Sequence, residues 1–436
     1  MNGKKMNILM MTNTYLPFVG GVERSVETFS KEYRKLGHNV KVVATRYEGF
    51  KEDDEDIIRV PALQHFNGTD FSVQLPVPGV LNSLFKYFTP HIIHSHHPFM
   101  LGDSALRLAA QFKIPIVFTF HTYYEHYTHY IPGDSAAMKR FVAALATGYA
   151  NLCDCVIAPS KSVAKEIIKR GVITPVEAIP TGICLSDFAE GNGKKFRKEH
   201  NIPSGAFVVG FISRLAPEKN LKFLAESVKE FLIRNKKAHF LLVGSGPCEK
   251  DIKDCFNENT LSARFHHIGT VTGKNLVDAY HAMDVFAFTS FSETQGLVLT
   301  EAMASGVPVV ALDSPVVSEI VSNLYNGIIV KKQRHDSFCD ALSIMYHSST
   351  IKKAQFKEAA FMTAKTYEKQ LCVKKVLTIY SELLKKRYVK RDRTDSMWEK
   401  AMRMIKAELE LIYNMTKATG AAMNDKKDSK PFDNPS

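Results

Sequence analysis

Short apolar runs alternate along the chain with segments in which apolar residues recur every three or four positions. Asn7–Met11 is such a run, followed by a helical period over Val22–Leu36 and a second run at Asn39–Ala44. Further runs fall at Ile57–Val60, His91–His94, Ile116–Phe120 and Val156–Ala158, with helices in the gaps, including Gly102–Phe112 and Ser160–Arg170. A second series opens at Phe207–Ile212 and continues through Phe240–Val243, Phe265–Gly269, Val285–Thr289, Val307–Ala311 and Gly327–Val330. Runs that are apolar throughout predict strands buried on both faces, and their alternation with helices predicts parallel sheets. The fold class expected is α/β, with two doubly wound Rossmann-like domains facing a cleft.

Residues 184–205 are rich in Gly, Lys and Asn and lack an apolar period, so they read as the interdomain connection. The expected boundaries are 1–187 for the first domain, 188–205 for the linker, 206–368 for the second domain, 369–416 for a basic helical tail and 417–436 for a disordered end. In the tail, Trp398, Met402, Ile405, Leu409 and Ile412 share one face of a helix predicted over Met397–Met415. Such a face suits either a membrane surface or packing back on the first domain. No internal repeat of solenoid type is visible.

A length of 436 residues exceeds one core, and 45% hydrophobic with 23% charged residues is ordinary for a soluble globular protein. No apolar run approaches the roughly 18–20 residues that span a bilayer. Lys4-Lys5 before Met6–Met11 imitates a signal peptide, but the run breaks at Thr12-Asn13-Thr14 and reads as a first strand. Seven irregularly spaced cysteines complete no zinc set, and reduced cytosolic thiols are expected. The formal charge of +12 is concentrated beyond residue 190, most densely at Lys385-Lys386-Arg387, Lys390-Arg391 and Arg393. No nucleic-acid motif accompanies this stripe, so nucleic acid is not an expected partner, whereas an anionic membrane surface is.

The candidate chemistry lies at strand exits, where open α/β sheets bind ligands. Ser292–Ala302 places Glu293 on a loop, then Gln295, Gly296 and Leu297, and Glu301 about two turns into a helix. Both carboxylates suit paired hydroxyls, as on a sugar and a ribose; the alternative is a loop cap and a surface glutamate. Ser213–Asn220 carries Arg214 and Lys219 around Pro217, a pair able to neutralise a diphosphate, or else a solvated basic turn. Gly20-Gly21 opens the first helix and can admit an anion to backbone N–H groups, although a plain tight turn explains it too. No G-x-G-x-x-G is present, which removes the main support for NAD. Val243–Pro247, with Gly244, is a further glycine-rich exit. Asp54-Glu55-Asp56 has the Asp-x-Asp form of a metal site but lies ahead of a strand in an acidic run, where a solvated loop is expected.

These loops in this order resemble glycosyltransferase family 4, a retaining family of the GT-B fold, from about Met6 to about Tyr380. The resemblance rests on Gly20-Gly21, Ile179–Ile183, Arg214 with Lys219, Val243–Pro247, Glu293-x7-Glu301 and Glu301–Val310. It implies transfer from a nucleotide diphosphate sugar with retention, without a metal or resident cofactor. It assigns Arg214 and Lys219 to the diphosphate, the Gly21 amide to the same phosphates, and Glu293 to hydroxyls of the transferred sugar. Gln295, Gly296 and Leu297 would offer backbone amides, Glu301 would take the ribose, and groups near Thr270-Val271 the base. His121 matches the histidine that contacts the donor sugar. One departure is Gly182-Ile183-Cys184, where the family usually has aspartate in third place, and altered interdomain packing is expected there.

The loop His121–Tyr130 is similar to that of the diacylglycerol glucosyltransferases within the family. That similarity implies a lipid acceptor, with Tyr123, Tyr124, Tyr127 and His129 as candidate acceptor contacts. An aromatic loop packed against a neighbouring helix is the alternative. The histidines here and at 94, 96 and 97 complete no metal set, so no metal is expected. The activity expected is hexosyl transfer, from UDP-glucose to diacylglycerol, by a cytoplasmic enzyme held peripherally at the inner membrane face. A phosphoinositide, a polysaccharide precursor or a soluble sugar is the alternative acceptor, and a nucleotide-sugar-binding protein without catalysis is the rival class.

Overall fold

The computed structural model describes residues 5–18, 20–63, 73–74, 84–130, 135–257, 259–388 and 397–423. The chain forms two compact units, one built from Met1–Thr181 with Gln370–Asn434 and the other from Gly182–Lys369.

The first unit holds β1 (Asn7–Thr12), β2 (Asn39–Thr45), β3 (Ile57–Val60), β4 (Ala62–Leu63), β5 (Val73–Gln74), β6 (Ile92–Ser95), β7 (Ile116–Thr119), β8 (Cys155–Ala158) and β9 (Val176–Ala178). Seven of these make a parallel sheet in the order β3-β2-β1-β6-β7-β8-β9, while β4 and β5 pair antiparallel on their own. Successive side chains of a strand point to opposite faces, so each strand feeds two cores. Leu9, Met11, Ile93, Phe118 and Val156 pack with Leu101, Ala105 and Tyr149 of the helices Leu101–Phe112 and Ala136–Leu152. Ile8, Met10, Ile92, Val117 and Ile157 pack with Val26 and Tyr33 of helix Gly21–Lys35. Cys372, Val376 and Tyr380 of helix Lys369–Tyr388 close the same side. Each such large apolar side chain contributes about 1.5–3 kcal/mol by leaving water.

The second unit holds β10 (Phe207–Ile212), β11 (Ala238–Val243), β12 (Phe265–Ile268), β13 (Val285–Phe288), β14 (Val309–Leu312) and β15 (Gly327–Val330). Their order is β12-β11-β10-β13-β14-β15, all parallel. The strand order therefore reverses between β10 and β13, as it does between β1 and β6 in the first unit. Both reversals open a crevice at the carboxyl ends of the strands, where ligands of doubly wound sheets bind.

Three expectations need revision. The segment 188–205 is not plain linker: it contains helix Gly193–Glu199, capped by Asn192, whose Oδ1 accepts the Lys195 N–H at 2.9 Å. Phe196 of this helix is buried, and Arg197 donates to the Ala282 carbonyl at 2.8 Å and to Asp284 at 2.9 Å. One apolar residue in seven leaves no period to read. Strand β9 was not foreseen, since three residues are too few for alternation to register. The tail helix runs from Met397 to Met423, so 417–423 are helical rather than disordered; 424–436 and the basic positions 390–393 lie outside the described residues.

Candidate active site

In the second unit the loops leaving the adjacent strands β10 and β13 bring the predicted charges together. Pro217–Lys219 forms one turn of 3-10 helix, ended by Asn220 in the left-handed region. That turn projects Lys219 toward the loop after β13, where its Nζ donates to Glu293 Oε1 at 2.5 Å. The loops are fastened by the Thr289 hydroxyl donating to the Lys219 carbonyl at 3.0 Å, and by the Ser290 hydroxyl donating to the Glu218 carbonyl at 3.3 Å. Arg214 pairs with Glu218 at 2.5 Å. Burial pushes the Glu293 carboxyl up, but the Lys219 charge and hydrogen bond, the Ser290 hydroxyl and the Gly296 N–H outweigh it, and the net shift is downward. Glu293 is thus held as a carboxylate.

Gly296 has φ 68°, the left-handed region that side chains avoid, and it caps helix Leu297–Ala304. The first N–H groups of that helix, at Leu297 and Val298, precede its first backbone hydrogen bond, which runs from Leu299 to the Gly296 carbonyl at 3.0 Å. Glu301 is buried inside the same helix, and its Oε2 accepts from the Tyr280 hydroxyl at 2.8 Å. Tyr280 had no local signal in the sequence, because it sits on helix Gly273–His281 and reaches Glu301 only through the fold. Gly244 follows β11, and its carbonyl lies 2.9 Å from His267 Nε2. Val271 follows β12 and packs, partly buried, against the core. Cys184 occupies the position before helix Leu185–Ala189 and supplies no side-chain cap; its Sγ lies 3.1 Å from the Ser186 hydroxyl. An aspartate there would be an N-cap, a role local to this unit.

In the first unit, Gly20 caps helix Gly21–Lys35 and Glu23 is the third helical residue. The Glu23 carboxyl is raised by burial, against hydrogen bonds from the Thr14 hydroxyl, its own N–H and the Gly20 N–H. This is the return half of a capping box, so the Gly20 amide is committed to Glu23 while Gly21 begins the helix. At the carboxyl ends of β6 and β7, four histidines are buried together: His94, within β6, and His96, His97 and His121. His96 Nδ1 lies 2.8 Å from His121 Nε2, and the two rings stack at 5.1 Å. His94 is held between the Tyr380 hydroxyl and the Thr119 hydroxyl, each at 2.6 Å. Burial pushes all four imidazoles below their ordinary value, His94 and His97 to about 3, and for His96 and His121 the neighbouring rings add to it. His121 is therefore neutral, and His96 is the ring that orients it.

The aromatic loop forms a 3-10 helix over Tyr124–Tyr130. Tyr124 packs against Phe99 at 5.3 Å and Phe120 at 6.1 Å, and its buried hydroxyl finds no partner among the described residues. Arg170 lies over the Tyr123 ring at 4.7 Å and pairs with the buried Glu125. The side chains of Tyr127 and His129 lie outside the described residues. Asp54 and Asp56 are tied to Arg34 and Lys41. Among the described residues no group of three or more His, Cys, Asp or Glu could hold a metal, and no helix is long and apolar enough to cross a membrane.

Comparison with known proteins accounts for both halves. The family model Glycosyltransferase Family 4 matches residues 19–187, and Glycosyl transferases group 1 matches residues 192–362. An alpha-monoglucosyldiacylglycerol synthase of Streptococcus pneumoniae is 30% identical over 74% of this chain and 75% of its own length. A protein of the same name from Acholeplasma laidlawii is 27% identical over 87% of this chain and 98% of its own. The solved structure of Anabaena HepE in complex with UDP-glucose superposes with a TM-score of 0.68 over 86% of this chain and all of that one, at 19% identity, a likeness of fold. With two parallel Rossmann-like sheets and these matches, the chain belongs to glycosyltransferase family 4 and is a glycosyltransferase of the GT-B fold.

Proposed function

We propose that this enzyme transfers glucose from UDP-glucose to the free hydroxyl of 1,2-diacylglycerol, with retention at the anomeric carbon. The observation that carries the donor half is the meeting of Lys219 with Glu293 at the exits of β10 and β13. An ammonium and a carboxylate in one largely buried pair match a ligand with phosphate at one end and sugar hydroxyls at the other. In this reading the diphosphate draws Lys219 and Arg214, and Glu293, kept ionised, accepts from hydroxyls of the sugar. The N–H groups at Leu297 add dipoles toward the same anion. Glu301, oriented by Tyr280, accepts from the ribose.

In the transfer itself, the bond from the anomeric carbon to the β-phosphate oxygen breaks while the acceptor oxygen bonds to that carbon on the same face. The acceptor proton passes to the departing phosphate. Lys219 and Arg214 stabilise the charge growing on that leaving group, which is where a positioned cation accelerates the reaction most. Neutral His121, steadied by His96, is suited to hydrogen-bond the donor sugar without adding charge. No metal or resident cofactor enters this scheme.

The acceptor half is supported by the names of the two synthases above and by the aromatic loop His121–Tyr130. A lipid acceptor puts the enzyme at a membrane surface, peripherally and on the cytoplasmic face. The test is an assay of the purified chain with radiolabelled UDP-glucose and diacylglycerol in mixed detergent micelles, GDP-mannose serving as the donor control. The expected product is an α-glucosyl lipid, its anomer read by NMR. A water-soluble glycoside with no lipid product would overturn the acceptor, and absence of any turnover would overturn the enzyme.

A further inference from the structure

The last helix, Met397–Met423, has two faces with different fates. One face is used inside the first unit. Leu411, Asn414 and Ala418 are buried there against the helices Ala136–Leu152 and Leu101–Phe112. Arg403 donates to the Ala110 carbonyl at 3.3 Å, Asn414 to the Leu145 carbonyl at 3.2 Å, and Arg140 to the carbonyls of Ala421 and Ala422. Asn414 approaches so closely that a Cβ on Gly148 would lie 1.6 Å from its Oδ1.

The opposite face is apolar and left in solvent. Met402, Ile405, Leu409, Ile412, Tyr413 and Met423 project there, 46–78% exposed. At 100° per residue they span one side of the cylinder, about half a turn from Leu411, Asn414 and Ala418. Among the described side chains of this stretch, Glu408 pairs with Arg107 at 2.7 Å, and Glu410 lies 3.8 Å from Lys406. Exposed large apolar side chains are ordinary when scattered, and a contiguous row of them marks a contact surface.

We propose that this outward stripe is the surface by which the protein lies on an anionic bilayer, a proposal that rests on the lipid-acceptor reading above. Two features select that occupant. One margin of the stripe is cationic, with Lys406 and Lys417 exposed on the same side of the helix. In the sequence Arg387, Lys390, Arg391 and Arg393 continue that charge up to the helix. A second copy would present the same cations and repel, whereas an anionic leaflet is complementary, each basic residue near it adding on the order of 1 kcal/mol. The helix is also of the right kind to lie flat, with one side already anchored to the protein through Leu411, Asn414 and Ala418 and Met, Leu, Ile and Tyr toward the lipid.

The proposal is tested by flotation of the full chain with vesicles of phosphatidylcholine alone and with phosphatidylglycerol added, neither containing acceptor. Ile405→Glu with Leu409→Glu removes two apolar contacts and adds like charge to the leaflet. Leu409→Ser with Ile412→Ser removes contacts only. The wild type is expected to float with the anionic vesicles and to lose binding in high salt, and both variants to bind at least about tenfold more weakly with unchanged melting curves. Lipid product in detergent micelles is expected from all three proteins. Variants that float like the wild type would overturn the proposal. A wild type that makes lipid product in micelles without floating would overturn it and leave the acceptor standing. A wild-type dimer by light scattering that the substitutions dissociate, with no vesicle binding, would make the stripe a face between copies instead. Flotation without lipid product would sink the acceptor reading and keep the surface.

Discussion

Lys219 Nζ and Glu293 Oε1 meet at 2.5 Å between two loops that are 74 residues apart in the chain and adjacent in the sheet. The strand order makes them neighbours, because β13 lies directly beside β10. Their pairing keeps a cation and an anion poised where neither is neutralised by its own element. Lys219→Ala is expected to lower turnover at least about tenfold and to weaken UDP binding by calorimetry, since a charge-assisted contact to phosphate is lost. Glu293→Gln is expected to lower turnover by a similar factor while UDP binds as tightly or more so, the ammonium having been released. Equal loss of UDP affinity in both variants would contradict the division of roles.

The Tyr280 hydroxyl donates to Glu301, the residue proposed to take the ribose. Tyr280→Phe removes a single hydroxyl from a buried pair at 2.8 Å and leaves the ring in the core. The KM for the nucleotide sugar is expected to rise several-fold with kcat little changed, because a ribose contact holds donor and transition state alike. A fall in kcat at constant KM would place Tyr280 elsewhere in the mechanism.

Acid should unfold the first unit through its buried imidazoles. His94 and His97 are held down to about 3 by burial, whereas a histidine in the unfolded chain titrates near ~6.5. Below that unfolded value the unfolded chain binds protons that the folded chain refuses. Stability is therefore fully present above it and falls with decreasing pH, by about 1.4 kcal/mol per pH unit for each such histidine. His96 and His121 are shifted in the same direction and steepen the loss. Melting temperature measured from neutral pH to pH about 5 is expected to drop sharply. A flat profile would mean these rings are not buried neutral.

Gly148 tests the seat of the last helix. In an open helix, alanine for glycine stabilises by about 1 kcal/mol. Here the added methyl would meet Asn414 Oδ1 at 1.6 Å, so Gly148→Ala is expected to destabilise by about 1–3 kcal/mol and to open the last helix to limited proteolysis. A stabilised variant would mean that the helix does not pack there.

Cys184→Asp restores a side chain that can cap helix Leu185–Ala189, where none caps it now. A gain of about 0.5–1 kcal/mol is expected by chemical denaturation. No gain would indicate that the nearby Glu368 carboxylate, 3.3 Å from the Leu185 nitrogen, already serves that end.

By itself the sequence determined the two α/β series, the strands that carry the loops, and the place of Arg214, Lys219 and Glu293 at strand exits. Those are legible because buried parallel strands are apolar throughout and ligand loops follow them immediately, so both signals are local. Only the tertiary structure decided which side chains meet. That Lys219 pairs with Glu293, Tyr280 with Glu301 and His96 with His121 depends on strand order and helix packing, which no local period encodes. The capping box that commits the Gly20 amide to Glu23, and the helix hidden in 193–199, were lost for the opposite reason: they are too short to repeat. The tail shows both limits in one element. Its apolar face was visible as a period of three and four, but the fold buries the other side, through Leu411, Asn414 and Ala418, where the missing side chain of Gly148 leaves room for Asn414.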